Sequence, residues 1–312
     1  LTTSELIDRG FTLYRTHFTA FLLLALLSQG APLLEQVLVT SLKLTPSADQ
    51  LYAHPELAYT RMPLLLGLTM AAQVFPFCFD VIMTFFIADA YLGKVPSVSA
   101  SMRRFAGKTF PALWTFVVNR LLMAGALLFP LLAVVAISVY VALWPPGGYG
   151  QLFLVGAVAV VLLIASIVPV LVIFMRLMVT VPALALEGRA GWQGVKRSAQ
   201  LVRYDPGLGF MYWGEMRLSF LLLPLFVIEL LILSLTSLPV TIHQIGEVVR
   251  HGSQVAAPPD STLIVSQILT FLAGSVILPL YSIATALFYY DVRVRREGFD
   301  LEFMTEQLVA KS

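Results

Sequence analysis

The 312-residue chain has little charge: Asp, Glu, Lys and Arg make up 12% of it, against about 25% in an ordinary soluble domain. With 58% hydrophobic residues and a mean hydropathy of +0.86, too few polar groups remain to cover a water-facing surface. A soluble globular protein is thereby excluded. Neither sign of charge dominates, since 20 Lys and Arg stand against 18 Asp and Glu, so nothing points to nucleic acid as a partner. The single cysteine, Cys78, lies within an apolar run; it excludes an intrachain disulfide and says nothing of the redox compartment. The only histidines, His17, His54, His243 and His251, avoid the middle of the apolar runs, which argues against haem held by histidine inside a membrane. No HExxH, CxxC, GxSxG or Walker A pattern occurs, and no adjacent pair of aspartates lies in an apolar run. Metal, redox, acyl-transfer and nucleotide chemistry go unsupported, no cofactor is implied, and a non-catalytic role is expected.

What the chain has in quantity is apolar length. A helix needs about 20 apolar residues to cross a bilayer, and six runs qualify, near 18–42, 62–92, 111–144, 151–186, 208–242 and 263–290. These runs are continuously apolar without period-two alternation, so helices are expected rather than a β-barrel. The run after His17 continues to Val39 without a small-residue cleavage site, which argues against a signal peptide. One proline falls in each run (Pro32, Pro76, Pro130, Pro169, Pro224 and Pro279), where kinks that aid packing are expected. The connecting loops predict orientation. Fourteen Lys and Arg lie on one side, three on the other (Lys43, Arg61 and Arg250) and three within spans. The basic side is expected to be cytoplasmic, with both termini on it.

Three segments ahead of the odd-numbered runs look alike: Glu5–Phe21, Ala100–Trp114 and Gly194–Phe210. Each places a basic residue just before the membrane. These residues, Arg15, Lys108 and Arg203, are 93 and 95 positions apart. The spacing predicts three pseudo-repeats within a single integral membrane domain over 1–312, at about 1–96, 97–191 and 192–312. Each repeat is an amphipathic helix followed by a transmembrane hairpin. In the first, Leu6, Phe11, Leu13, Tyr14 and Phe18 can enter the acyl boundary while Asp8, Arg9 and Arg15 stay among headgroups. The competing account is that any loop entering a membrane acquires basic and aromatic anchors. The fold expected is an all-α polytopic membrane protein, six transmembrane helices as three hairpins in a bundle, with interfacial helices on the cytoplasmic face.

Ionisable residues inside spans cost several kcal/mol unless paired or solvated. Arg120, Arg176 and Arg217 each lie about 13–16 Å from the basic ends of their runs, and Asp80 lies at a comparable depth. The repeat agrees, with Asp80 and Arg176 separated by 96 positions and Arg120 and Arg217 by 97. Asp80, Arg120, Arg176, Glu215 and Arg217 are therefore expected to form one buried charged layer, with Asn119 and Gln73 nearby. That layer is either a register-fixing ion-pair network or an anion site carrying one uncompensated arginine. Glu35 and Glu229, in the opposite halves, have no obvious basic partner.

The run ALFYYDVRVRREGFDLEFM (Ala286–Met304), together with VPALALEG (Val181–Gly188), GVKRSAQLV (Gly194–Val202) and the opening LIDRGFTLYRTHF, resembles the bacterial membrane-domain family found fused to glycerophosphoryl diester phosphodiesterases. The likeness extends over essentially the whole chain. It implies a six-helix fold and a bacterial inner-membrane location; no phosphodiesterase signature occurs in these residues, so no enzymatic activity is implied. Read physically, Tyr289 and Tyr290 sit at headgroup level, Arg293, Arg295 and Arg296 face lipid phosphates, and 299–310 forms a second interfacial helix. Arg15, Lys108 and Arg203 are expected to make similar headgroup or partner contacts. The function expected is a membrane scaffold or accessory subunit binding anionic lipids and a partner membrane complex. The alternative is a transporter or lipid-handling protein using the charged layer.

Overall fold

The computed structural model describes residues 3–46, 50, 53–143, 148–203, 214–251 and 258–297. Lys311 and the helix expected over 299–310 lie outside the described residues. The described chain is built of helices, α1 (Thr3–Thr16), α2 (Phe18–Ser41), α3 (Glu56–Tyr91), α4 (Val98–Ala106), α5 (Thr109–Leu143), α6 (Tyr149–Met178), α7 (Thr180–Glu187), α8 (Gly191–Val202), α9 (Gly214–Thr236), α10 (Leu238–His251) and α11 (Asp260–Glu297). Among the described residues, six segments are long and apolar enough to cross a bilayer: Phe18–Ser41, Glu56–Tyr91, Thr109–Val141, Phe153–Glu187, Gly214–Thr236 and Asp260–Glu297. The protein is an all-α polytopic membrane protein. Short polar-and-apolar helices precede the three pairs of spans, α1 before α2 and α3, α4 before α5 and α6, and α8 before α9 and α11.

Helix boundaries follow proline chemistry. A proline cannot donate to the carbonyl four residues back, yet is tolerated in a helix's first turn. Pro111, Pro182 and Pro239 stand in the first turns of α5, α7 and α10, and the preceding helices stop just before them. The run expected as one span over 151–186 thus contains a break at Val179. Of the run expected over 208–242, residues 208–213 lie outside the described residues; the described part ends as α9 at Thr236, and α10 carries on from Leu238 into the loop expected at 243–262, as far as His251. By contrast, Pro32, Pro76, Pro130, Pro169, Pro224 and Pro279 all lie within continuous helices.

The chain divides into two compact units, one of Leu1–Thr109 with Phe220–Phe288, the other of Phe110–Ser219 with Tyr289–Ser312. In the first, α2 packs along α3, and the stretch Val81–Asp89 is buried on every face. Phe21 meets Phe86 edge-on at 5.2 Å between centroids, and Phe86 meets His17 at 5.5 Å. Tyr14 Oη donates to Val276 O at 2.8 Å, tying α1 to α11; burial raises the Tyr14 phenol above its ordinary pKa. In the second unit, α7 and α8 fold against each other and against the end of α6, burying Val179, Ala183, Leu184, Leu201 and Val202. Most of the apolar surface of α5 and α6 is uncovered by protein, as at Leu121, Leu132, Phe153 and Val161. Acyl chains are as apolar as these side chains and cover them without penalty.

Candidate functional site

The richest concentration of charge lies in the second unit, where α7, α8 and the last turns of α11 meet. Helix α7 stops because Gly188 enters the left-handed region at φ 72°, closed by Gly188 N donating to Leu184 O (3.1 Å) and Arg189 N to Ala183 O (3.4 Å). Two residues after Arg189, Gly191 takes φ 55°, donates its N–H to Thr115 Oγ1 at 2.7 Å, and leaves room for the Trp114 indole that a Cβ would fill. These turns aim Glu187, the last residue of α7, at α8 and α11.

Glu187 is the hub. Its two carboxylate oxygens accept from Arg197 Nε at 2.9 and 2.8 Å, and Tyr289 Oη donates at 2.8 Å. Arg189 Nε lies 3.1 Å away. Arg197 also reaches Glu297, at 2.6 Å through Nη1 and 2.7 Å through Nη2, and Glu297 accepts from Arg293 Nε at 3.0 Å. The Arg293 guanidinium lies 5.8 Å from the Tyr289 ring centroid. Three arginines and two glutamates leave one net positive charge in this cluster. The Arg197 guanidinium, hydrogen-bonded by Glu297 and then Glu187, is held above its ordinary pKa despite its burial, so it stays charged.

Of the layer expected from the sequence, the second unit brings Arg176 and Glu215 together at 3.2 Å. Arg217 instead joins Asp291 at 2.9 Å, and Asp291 also holds Arg295 at 3.1 Å, with the Asp291 side chain only 2% exposed. Arg120 sits 5.1 Å from the Phe116 ring centroid, a cation–π contact. In the first unit, Asp80 Oδ1 accepts from Ser282 Oγ at 2.5 Å. Glu35 and Glu229, which lacked an obvious partner, accept from Thr69 Oγ1 (2.9 Å) and Tyr281 Oη (2.6 Å).

The expected headgroup cations divide in two. Arg293 and Arg295 are held by carboxylates, and Arg296 donates to Gln200 O (2.9 Å) and Arg203 O (2.8 Å), capping the end of α8. Arg15 and Arg203 are exposed, as are Arg9, Lys94, Arg103 and Lys196. Lys108 lies 5.4 Å from the Phe85 ring centroid, and burial lowers its pKa. In the second unit Phe110, Trp114 and Trp192 are also exposed, with the Lys196 ammonium 6.0 Å from the Trp192 ring centroid.

Sequence reasoning did not single out Glu187 and Glu297. Their signal lay in the stretches that carry the family resemblance: Glu187 ends VPALALEG, Arg197 sits in GVKRSAQLV, and Tyr289, Arg293 and Glu297 lie in YYDVRVRRE. Those three stretches meet at one cluster. No family model, no curated protein and no solved structure matches this chain.

Proposed function

We propose that this is a non-catalytic scaffold or accessory subunit of the bacterial inner membrane, of the membrane-domain type found fused to glycerophosphoryl diester phosphodiesterases. Both termini face the cytoplasm, and the exposed cations there bind anionic lipids beside a partner membrane complex. The observation that carries the reading is the commitment of the second unit's span-borne arginines to protein partners. The Arg217 side chain, 11% exposed, is paired with Asp291, so its guanidinium braces helices instead of presenting charge to a ligand, and Arg176, its side chain 46% exposed, is paired with Glu215. The exposed cations, Arg9, Arg15, Lys94 and Arg103 in the first unit and Lys196 and Arg203 in the second together with the exposed Trp114 and Trp192 there, have the composition that attracts anionic headgroups at about 1 kcal/mol per cation.

The test is gentle extraction followed by native mass spectrometry, recording retained lipids and proteins together. The expected result is selective retention of phosphatidylglycerol or cardiolipin over phosphatidylcholine and a protein partner at fixed stoichiometry. Replacing Arg15, Arg103 and Arg203 by alanine should weaken the lipid retention. Equal retention of anionic and zwitterionic lipid, unaffected by the triple variant, would overturn the lipid half of the proposal; an isolated chain would overturn the accessory half.

A further inference from the structure

The first unit holds a cavity of about 230 Å³ lined from three helices, mostly apolar with a few polar groups. Gln29 and Gln36 come from α2, Glu229 from α9, and Gln267, Thr270 and Tyr281 from α11, among apolar residues such as Leu33 and Phe271. Glu229 is seven residues before the end of α9 and Gln267 seven after the start of α11, so both lie about 10 Å inside their helix ends. Three glutamines and a glutamate around one hollow in spans this apolar are costly to desolvate. Packing alone does not require them.

The hydrogen bonds of the wall say what it lacks. Tyr281 Oη is spent on Glu229, Thr270 Oγ1 donates to Thr236 Oγ1 at 3.0 Å, and Gln267 Nε2 donates to Thr40 Oγ1 at 2.8 Å. Tyr281 Oη, Thr270 Oγ1 and one N–H of Gln267 are thus turned toward the protein, while the Gln29 and Gln36 amides each present both donors and an acceptor. Acceptors are left over: Gln267 Oε1 is buried with no hydrogen-bond partner, and the Glu229 carboxylate has lone pairs beyond the one that Tyr281 uses. Among the described residues, Glu229 is the only carboxylate in the wall, and no lysine or arginine lines it. An anion would meet that carboxylate, and a purely apolar guest would leave it without a counter-charge. Glu229 and Gln36 are exposed, so the hollow opens at the surface of the unit.

We propose that this cavity binds a small organic cation with N–H donors, a primary or secondary ammonium on a compact apolar body. The ammonium sits against Glu229, its N–H groups reach the glutamine acceptors, and the apolar body lies against Leu33 and Phe271. A free amine and the amine headgroup of a membrane lipid present the same chemistry.

The experiment uses the full chain in nanodiscs made of phosphatidylglycerol alone, with benzylammonium as probe and calorimetry as readout. Saturable binding is expected, weakened at least about tenfold by Glu229→Gln, as loss of a charged hydrogen bond implies. Glu35→Gln, in the same unit but outside the cavity, should leave binding unchanged. The unfolding midpoint of each variant shows whether it remains folded, and Gln267→Leu gives a second, uncharged perturbation that should also weaken binding. Benzyl alcohol, without charge, and benzyltrimethylammonium, without N–H donors, should both bind more weakly. Equal binding by folded Glu229→Gln, or by either comparison compound, would overturn the proposal. Repeating the titration with phosphatidylethanolamine in the disc separates the sources: competition assigns the site to a lipid headgroup, and unchanged affinity assigns it to a free amine.

Discussion

Glu187 serves Tyr289, Arg197 and Arg189 at once, and its side chain is 11% exposed. Removing it leaves Arg197, 13% exposed, with half its partners. Glu187→Ala should therefore cost about 3 kcal/mol, as breaking one side of a buried ion pair does, seen as a lower unfolding midpoint in micelles. Arg189→Ala removes a half-exposed partner of the same carboxylate and should cost under about 1 kcal/mol. Gly191 allows a different test. A Cβ there runs into Trp114 on top of an unfavourable φ of 55°, so Gly191→Ala should destabilise by about 2–3 kcal/mol. In a Trp114→Ala background the clash is gone and only the backbone contribution of about 1 kcal/mol should remain; equal costs in the two backgrounds would place the strain elsewhere.

At the scale of elements, two short helices have distinct tasks. The end of α8 is capped by the Arg296 guanidinium instead of by a glycine, so Arg296→Ala should release the Gln200 and Arg203 carbonyls. The expected loss is about 1 kcal/mol, with faster amide exchange confined to the last turn of α8. Helix α10 carries Leu238, Ile242, Ile245 and Val249 exposed at intervals of three and four, opposite Gln244 and Glu247. That pattern belongs in a membrane interface. A label on Ile245→Cys should be reached by a lipid-soluble quencher and one on the exposed Gln244→Cys by a water-soluble one; the reverse ranking would remove α10 from the interface.

For the whole molecule, the choice between scaffold and transporter falls on the charged residues inside the spans. Arg176→Met breaks the pair with Glu215 while keeping the length of the side chain. The scaffold reading expects a lower unfolding midpoint with retention of phosphatidylglycerol unchanged; loss of binding of an anionic ligand by a folded variant would favour transport through the charged layer. Topology is separately testable, since cysteines at Lys94 and Arg61 should be labelled from opposite sides of the membrane, the former from the cytoplasm.

The sequence by itself determined the class of fold. Apolar length and missing charge left only membrane helices, and the basic segments before the odd-numbered runs marked where amphipathic helices precede them. Two prolines that the hydropathy runs did not single out, Pro182 and Pro239, divide runs that read as continuous, because a first-turn proline ends one helix and begins the next. Partners were a tertiary matter. Arg176 and Glu215 are 39 positions apart, Arg197 and Glu297 100, and Asp80 and Ser282 202. Depth in the membrane can be counted along a helix at a constant rise, which is why the intramembrane charges were found. Which of them touch depends on how each helix is rotated about its own axis and on which neighbour packs against it, and hydropathy carries no record of either. For the same reason Glu229 stood alone in the sequence and only the packing of α2, α9 and α11 set it in a cavity with three glutamines and a tyrosine.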